Sequence, residues 1–203
     1  MFWQAADGTG AAESLTTGDR QAWPLAITPD GKRLIFHEGE APSGGVDAVD
    51  LPGGVRPTSL NRTYADATLS PDGRWLAYQS NESGADQIYV RPFPNVNDGH
   101  WQVSADGGHH PAWSRSSREL FYFSGTAFVA VPVQTTPSFV AGTATKLFDG
   151  PYFPGLPPVH GYDVAPDGRF LMIKVPERQA SAPQSIIVVL NWIEELKARV
   201  PAK

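Results

Sequence analysis

The sequence predicts an all-β fold, a β-propeller of four-stranded antiparallel blades. Three observations carry this reading: a phrase that recurs four times, the spacing of its copies, and the short aromatic-rich runs that follow each copy. The copies occupy 27–36, 69–78, 113–122 and 164–173, with Pro-Asp-Gly at the centre of all but the degenerate third. Measured from Pro29, Pro71, Arg115 and Pro166, they step by 42, 44 and 51 residues. A period of roughly 40–50 residues with strand–turn–strand content is the mark of propeller blades.

Each element follows from its residues. The chain opens with Phe2-Trp3-Gln4, which reads as a third strand, and Glu13-Ser14-Leu15, which reads as a fourth, so 1–19 is a partial blade. Blades are expected at 20–62, 63–107 and 108–150, with an incomplete blade at 151–190. Within each, a first strand ends at the repeat turn. Pro presets φ there, Asp bonds nearby backbone amides, and Gly accepts positive φ. A second strand follows at once, as in Trp75-Leu76-Ala77-Tyr78; a third is Gln87-Ile88-Tyr89-Val90; a fourth is Trp101-Gln102-Val103. These runs are rich in aromatic and β-branched residues and bounded by Gly, Asn, Asp and Ser, as strands are. Ile27, Leu69, Trp113 and Val164 are equivalent, and are expected to be apolar pegs between blades. Leu34, Leu76, Leu120 and Leu171 form a second equivalent row. The last blade has a strong strand, Ser185-Ile186-Ile187-Val188-Val189-Leu190, but no evident fourth strand. Beyond it Trp192, Ile193, Leu196 and Val200 follow helical spacing, so 191–200 is expected to form a short amphipathic helix. A chain that starts in mid-blade and ends without a fourth strand is expected to close by strand exchange or as a homodimer.

Composition narrows the function. With 41% hydrophobic residues among 203, the chain can bury a substantial core. A net charge of −5 offers no basic footprint for nucleic acid and no polybasic patch for a lipid surface. Cysteine is absent, which excludes disulfides and thiolate metal sites but leaves the compartment open. No run approaches the ~20 apolar residues of a membrane helix, and 1–7 does not read as a signal peptide. The serines lack a nucleophile-elbow setting, and there is no Gly-rich phosphate loop or His-Arg-Asp catalytic loop, so phosphoryl transfer is not expected.

The phrase Ser70-Pro71-Asp72-Gly73-Arg74-Trp75-Leu76-Ala77-Tyr78, with Gln87-Ile88-Tyr89-Val90 after it, resembles the TolB-like propeller repeat. The runs 113–122 and 162–172 and the ending 189–197 are similar to the propeller region that follows many bacterial serine/threonine kinase domains. The resemblance spans nearly the whole chain. It implies a module that binds a protein or a small ligand, and supplies no shared catalytic motif. Such propellers are usually six-bladed; this chain has fewer repeats, which implies an N-terminal truncation.

In a propeller the first strands line a central channel, so residues just before them gather at one mouth. Counting back from the repeat makes Trp23, Ala65, His109 and His160 equivalent; Pro24, Asp66, His110 and Gly161 follow, then Ala26, Thr68, Ala112 and Asp163. Asp66, His109, His110, His160 and Asp163 are therefore the candidate metal ligands, with His110 and His160 as candidate catalytic groups. Trp23, Tyr64 and Tyr162 are the candidate ligand contacts. Imidazole with carboxylate suits a divalent ion: zinc or manganese if the histidines ligate, calcium if Asp66 and Asp163 dominate. That pattern admits a metal-dependent hydrolase of esters, lactones or phosphotriesters as the alternative to a binding module. The plainer alternative is that His109-His110, before Pro111, merely cap a strand. The proline-rich run 151–158 reads as a blade connector or as a wall over the mouth.

Overall fold

The computed structural model describes residues 1–16, 20–39, 44–53, 58–61 and 64–176 of the chain, with the side chains of Asn61, Tyr64 and Ala65 left outside. It is all-β, with antiparallel sheets arranged as blades around a channel. The expected strand 185–190 and helix 191–200 lie outside the described residues; within them there is no helix.

The first blade is β3 (Ala22–Ile27), β4 (Arg33–Glu38), β5 (Gly45–Asp50) and β6 (Thr58–Asn61), paired in chain order. The second is β7 (Tyr64–Leu69), β8 (Trp75–Ser80), β9 (Gln87–Pro92) and β10 (Trp101–Gln102). The third has β11 (His109–Trp113), β12 (Glu119–Ser124) and a long β13 (Ala127–Gln134), whose two ends pair with β14 (Val140–Ala141) and β15 (Thr145–Asp149). The fourth contains β16 (Tyr152–Phe153), β19 (Tyr162–Val164) and β20 (Phe170–Lys174), with the small hairpin β17 (Gly155–Leu156) and β18 (Val159–His160) between the first two. Ahead of them all, β1 (Phe2–Trp3) pairs with β2 (Glu13–Ser14).

The core lies between the blades. Alternating strand residues present two apolar faces. Trp75, Ile88 and Val90 meet Leu120, Tyr122 and Val131 between the second and third blades. Ile35 and Val46 meet Leu76 and Tyr78 between the first and second. Phe121, Phe123 and Phe128 meet Tyr162 and Val164 between the third and fourth. Leu15 and Met1, beside the β1–β2 hairpin, cover the outer face of the first blade against Leu34, Phe36 and Val49.

Two departures from the repeat matter. Leu34, Leu76 and Leu120 are 5%, 0% and 0% exposed, yet Leu171 is 76% exposed. The cause is the turn. In the first three blades it is closed by a bond to the residue five further on: Thr28 to Arg33, Ser70 to Trp75, Ser114 to Glu119. In the fourth, the Ala165 amide bonds to the Arg169 carbonyl, four further on. Val164 therefore pairs with Phe170 rather than Leu171, and a one-residue slip sends every side chain of the strand to the opposite face. Phe170 and Met172 now pack on the third blade, while Leu171 and Ile173 face outward. The row of expected pegs also differs at Ile27, which is 49% exposed along the channel, whereas Trp113 and Val164 are buried.

Candidate functional site at the channel mouth

The inner strands β3, β7, β11 and β19 line one cleft of about 710 Å³. The mouth nearest their N-terminal ends is shaped by an irregularity that recurs. In β3, Pro24 and Ala26 face the neighbours Phe36 and Ile35; in β7, Tyr64 and Asp66 face Ser80 and Gln79; in β11, His109 and Ala112 face Phe123 and Phe121. Each of these inner strands thus carries one extra residue near its N-terminal end, within about two positions of the same level, a β-bulge that re-aims the side chains around it.

The fourth blade exaggerates the same feature. Phe153 and Tyr162 face the neighbours Ile173 and Met172, so residues 154–161 are all extra. The Ile173 amide bonds to Gly161 and the Val175 amide to Pro151. Amides two apart on a strand point the same way, so β16 and β19 run end to end along one edge of β20 and are one inner strand, interrupted by the β17–β18 hairpin. Its neck is tight. The Gly161 amide bonds to the Pro154 carbonyl at 2.7 Å, and a methyl group on Gly161 would meet the Gly155 nitrogen and the Pro154 carbonyl carbon at 2.9 Å. The run 151–158 is therefore not a plain connector: Pro158, Val159 and His160 form part of the channel wall.

These irregularities bring three side chains from three blades together. Asp66, fully buried, accepts from His110 Nδ1 at 2.9 Å on one carboxylate oxygen and from His160 Nε2 at 2.9 Å on the other. His110 is 3% exposed; the His160 side chain is 23% exposed and lines the channel. One ligand atom from each lies within 4.8 Å of the other two. Burial opposes ionisation of Asp66, but the hydrogen bonds from His110 and His160 outweigh it and hold its carboxyl below the usual range. His110 occupies the left-handed region, φ 54°. The Tyr162 hydroxyl donates to its carbonyl at 2.6 Å. Burial, then the charge of Asp66, push the Tyr162 phenol well above its ordinary value, so it stays a hydrogen-bond donor.

Of the eight residues expected at the site, Asp66, His110 and His160 converge and Tyr162 supports them. Trp23 lines the cleft wall, as does Asp163, whose carboxylate accepts from the Val164 amide at 2.8 Å and lies outside the trio. His109 is also outside it: its ring stacks on Phe123 at 5.8 Å, and burial, then the charge of His110, lower its pKa. The Tyr64 side chain lies outside the described residues. Sequence counting missed the supporting role of the Tyr162 hydroxyl; the signal available was a tyrosine two residues after His160, one strand position from the mouth.

Fold and site together define a β-propeller with a side-chain cluster at the mouth of a central channel. No family model and no curated protein matches the chain. Among solved structures, a protein assigned as TolB from Agrobacterium tumefaciens is similar at 18% identity and TM-score 0.57, covering 82% of this chain and 62% of that one. TolB from Acinetobacter baumannii is similar at 18% identity and TM-score 0.56, covering 82% of this chain and 46% of that one. The fold is therefore a TolB-like β-propeller, and the chain spans 62% and 46% of the length of these two structures.

Proposed function

We propose that the chain is a ligand-binding propeller module whose channel is the binding site and whose Asp66–His110–His160 trio holds a divalent cation at the mouth. The observation that carries this is a buried carboxylate bridging two imidazoles from two other blades, beside an open cleft. Two nitrogen donors and one oxygen suit zinc or manganese better than calcium, which prefers oxygen alone. The trio needs little rearrangement: neutral imidazoles need only present lone pairs in place of the N–H groups they now turn to Asp66. Isothermal titration of the purified chain with zinc and with manganese tests it. One ion per chain is expected, lost in both Asp66→Asn and His160→Asn; absence of stoichiometric binding overturns it.

A second reading is favoured by the partial exposure of His160 on the channel side. An ion held by these three residues would keep room for a further ligand, as hydrolytic metal sites do. An ester, lactone or phosphotriester oxygen placed there would be polarised. Chelator-sensitive hydrolysis of an aryl ester that disappears in His160→Asn supports this reading; turnover unchanged by chelator rules it out.

A further inference from the structure

The far mouth of the channel is ringed by the repeat turns, and one turn is chemically unlike the rest. Where the other blades have Pro29, Pro71 and Pro166, the third has Arg115; where they have Asp30, Asp72 and Asp167, it has Ser116. The usual turn aspartate is heavily used. Asp72 and Asp167 accept from Arg74 and Arg169, and Asp30 accepts from Thr28 and the Lys32 amide. The third turn has no such carboxylate, and replaces it with a Ser114–Ser116 hydroxyl pair at 3.1 Å. Arg115 is exposed and has no ion pair or side-chain hydrogen bond among the described residues. It lines the channel together with Pro29 and Pro71, at the lip of a smaller groove of about 350 Å³ beside Glu119, with which it forms no ion pair.

We infer that Arg115 is the anion anchor of the channel, and that its ligand is an elongated, apolar-bodied molecule ending in a carboxylate. This deepens the reading of the channel as the binding site and rests on it. Three features set the ligand class. The guanidinium fork matches a carboxylate in a bidentate manner, and no described residue pairs with it. Part of the wall between the two mouths is apolar, with Leu25, Ile27, Leu69 and Trp113 beside the polar Thr68, Ser70 and Asp163. From His110 to Arg115 the chain runs five residues, at most about 16 Å at strand rise and shorter for the bulge at His110, so a ligand spanning both ends is extended rather than round. Its carboxylate sits on Arg115, its body lies along the wall, and its other end faces the trio.

The repeat itself supplies the test variant. Arg115→Pro installs the residue that three other blades carry at this position, so it is expected to fold. Octanoate and octan-1-ol share an apolar tail and differ in the charged head, and tryptophan emission from Trp23 and Trp113 reports either one. The wild-type chain is expected to bind octanoate about tenfold more tightly than octan-1-ol, the gain of a charge-assisted pair, and Arg115→Pro to lose that difference. Arg115→Lys retains only part of it. Equal binding of the two probes, or octanoate binding unchanged in Arg115→Pro, overturns the inference. Zinc titration of the same variant separates the two readings: uptake at the trio persists in Arg115→Pro whether or not Arg115 holds an anion. If neither probe binds the wild-type chain while zinc does, the channel ligand class is wrong and the cation site stands.

Discussion

His110 holds a backbone conformation that costs a non-glycine residue about 1–2 kcal/mol. Two hydrogen bonds hold it there, one from its ring to Asp66 and one to its carbonyl from Tyr162. Tyr162→Phe removes the second and leaves the buried carbonyl sharing nothing from that side. It is expected to cost about 1–3 kcal/mol in urea unfolding, and to weaken zinc binding about tenfold through loss of support for a ligand. An unchanged zinc isotherm would show that Asp66 alone positions the imidazole. His37 makes a different prediction. It is 3% exposed. Burial lowers its pKa, against the raising influences of the Gly39 backbone, Asp66 and Asp47. The native state therefore binds the proton less readily than the unfolded chain does. Its stabilising contribution is complete above the unfolded value of about 6.5 and is lost as pH falls towards the lower native value. Denaturant midpoints measured between neutral and mildly acidic pH are expected to fall with pH, and to fall less in His37→Gln.

At the scale of elements, the β17–β18 hairpin stands where the other inner strands have a single-residue bulge. Gly161→Ala places a methyl group against backbone atoms that cannot swing away. It is expected to open the hairpin neck, move His160 off Asp66 and abolish zinc uptake, with the rest of the fold retained in circular dichroism. The slip of β20 gives a second test. Leu120→Ala removes a fully buried side chain and is expected to cost about 2–5 kcal/mol. Leu171→Ala, its equivalent by repeat, is expected to cost within about 0.5 kcal/mol because that side chain is exposed. The blades were legible because Pro-Asp-Gly and the apolar alternation are local signals. The slip has only a faint local signal: Ala165 stands where Thr28, Ser70 and Ser114 carry a hydroxyl that accepts from the amide five residues on, so the fourth turn lacks the bond that holds the wider closure, although its Pro166-Asp167-Gly168 matches the first two turns. Asp66, His110 and His160 could be found by counting because the inner strands keep level with one another. His109 and Asp163 passed the same count but failed in space: the bulge beside His109 turns its ring onto Phe123, and Asp163, further along the channel, caps the Val164 amide.

Across the whole molecule, the three complete interfaces between blades are buried and aromatic, while the outer face of the fourth blade is not covered by any described residue. Leu171 and Ile173 stand 76% and 56% exposed there, with Val175 at 44%. Apolar strand faces of this kind favour association. The expectation is a concentration-dependent dimer by light scattering, abolished in the double variant Leu171→Lys, Ile173→Lys; a mass that stays monomeric at high concentration counts against it. Strand exchange is the form in which a second chain would also satisfy the backbone.

At the recurring bulge, β3, β7 and β11 each absorb a single surplus residue within about two positions of one another, and the fourth blade absorbs eight, while the sheets on either side keep their pairing. That level therefore acts as an insertion port: sequence length can change there without disturbing the packed layers below. Lengthening or swapping the segment at any one port would alter what the mouth recognises while the ring of blades stays as it is. A propeller of this design can acquire a new specificity through one short graft, leaving its stability in the hands of residues that never see the ligand.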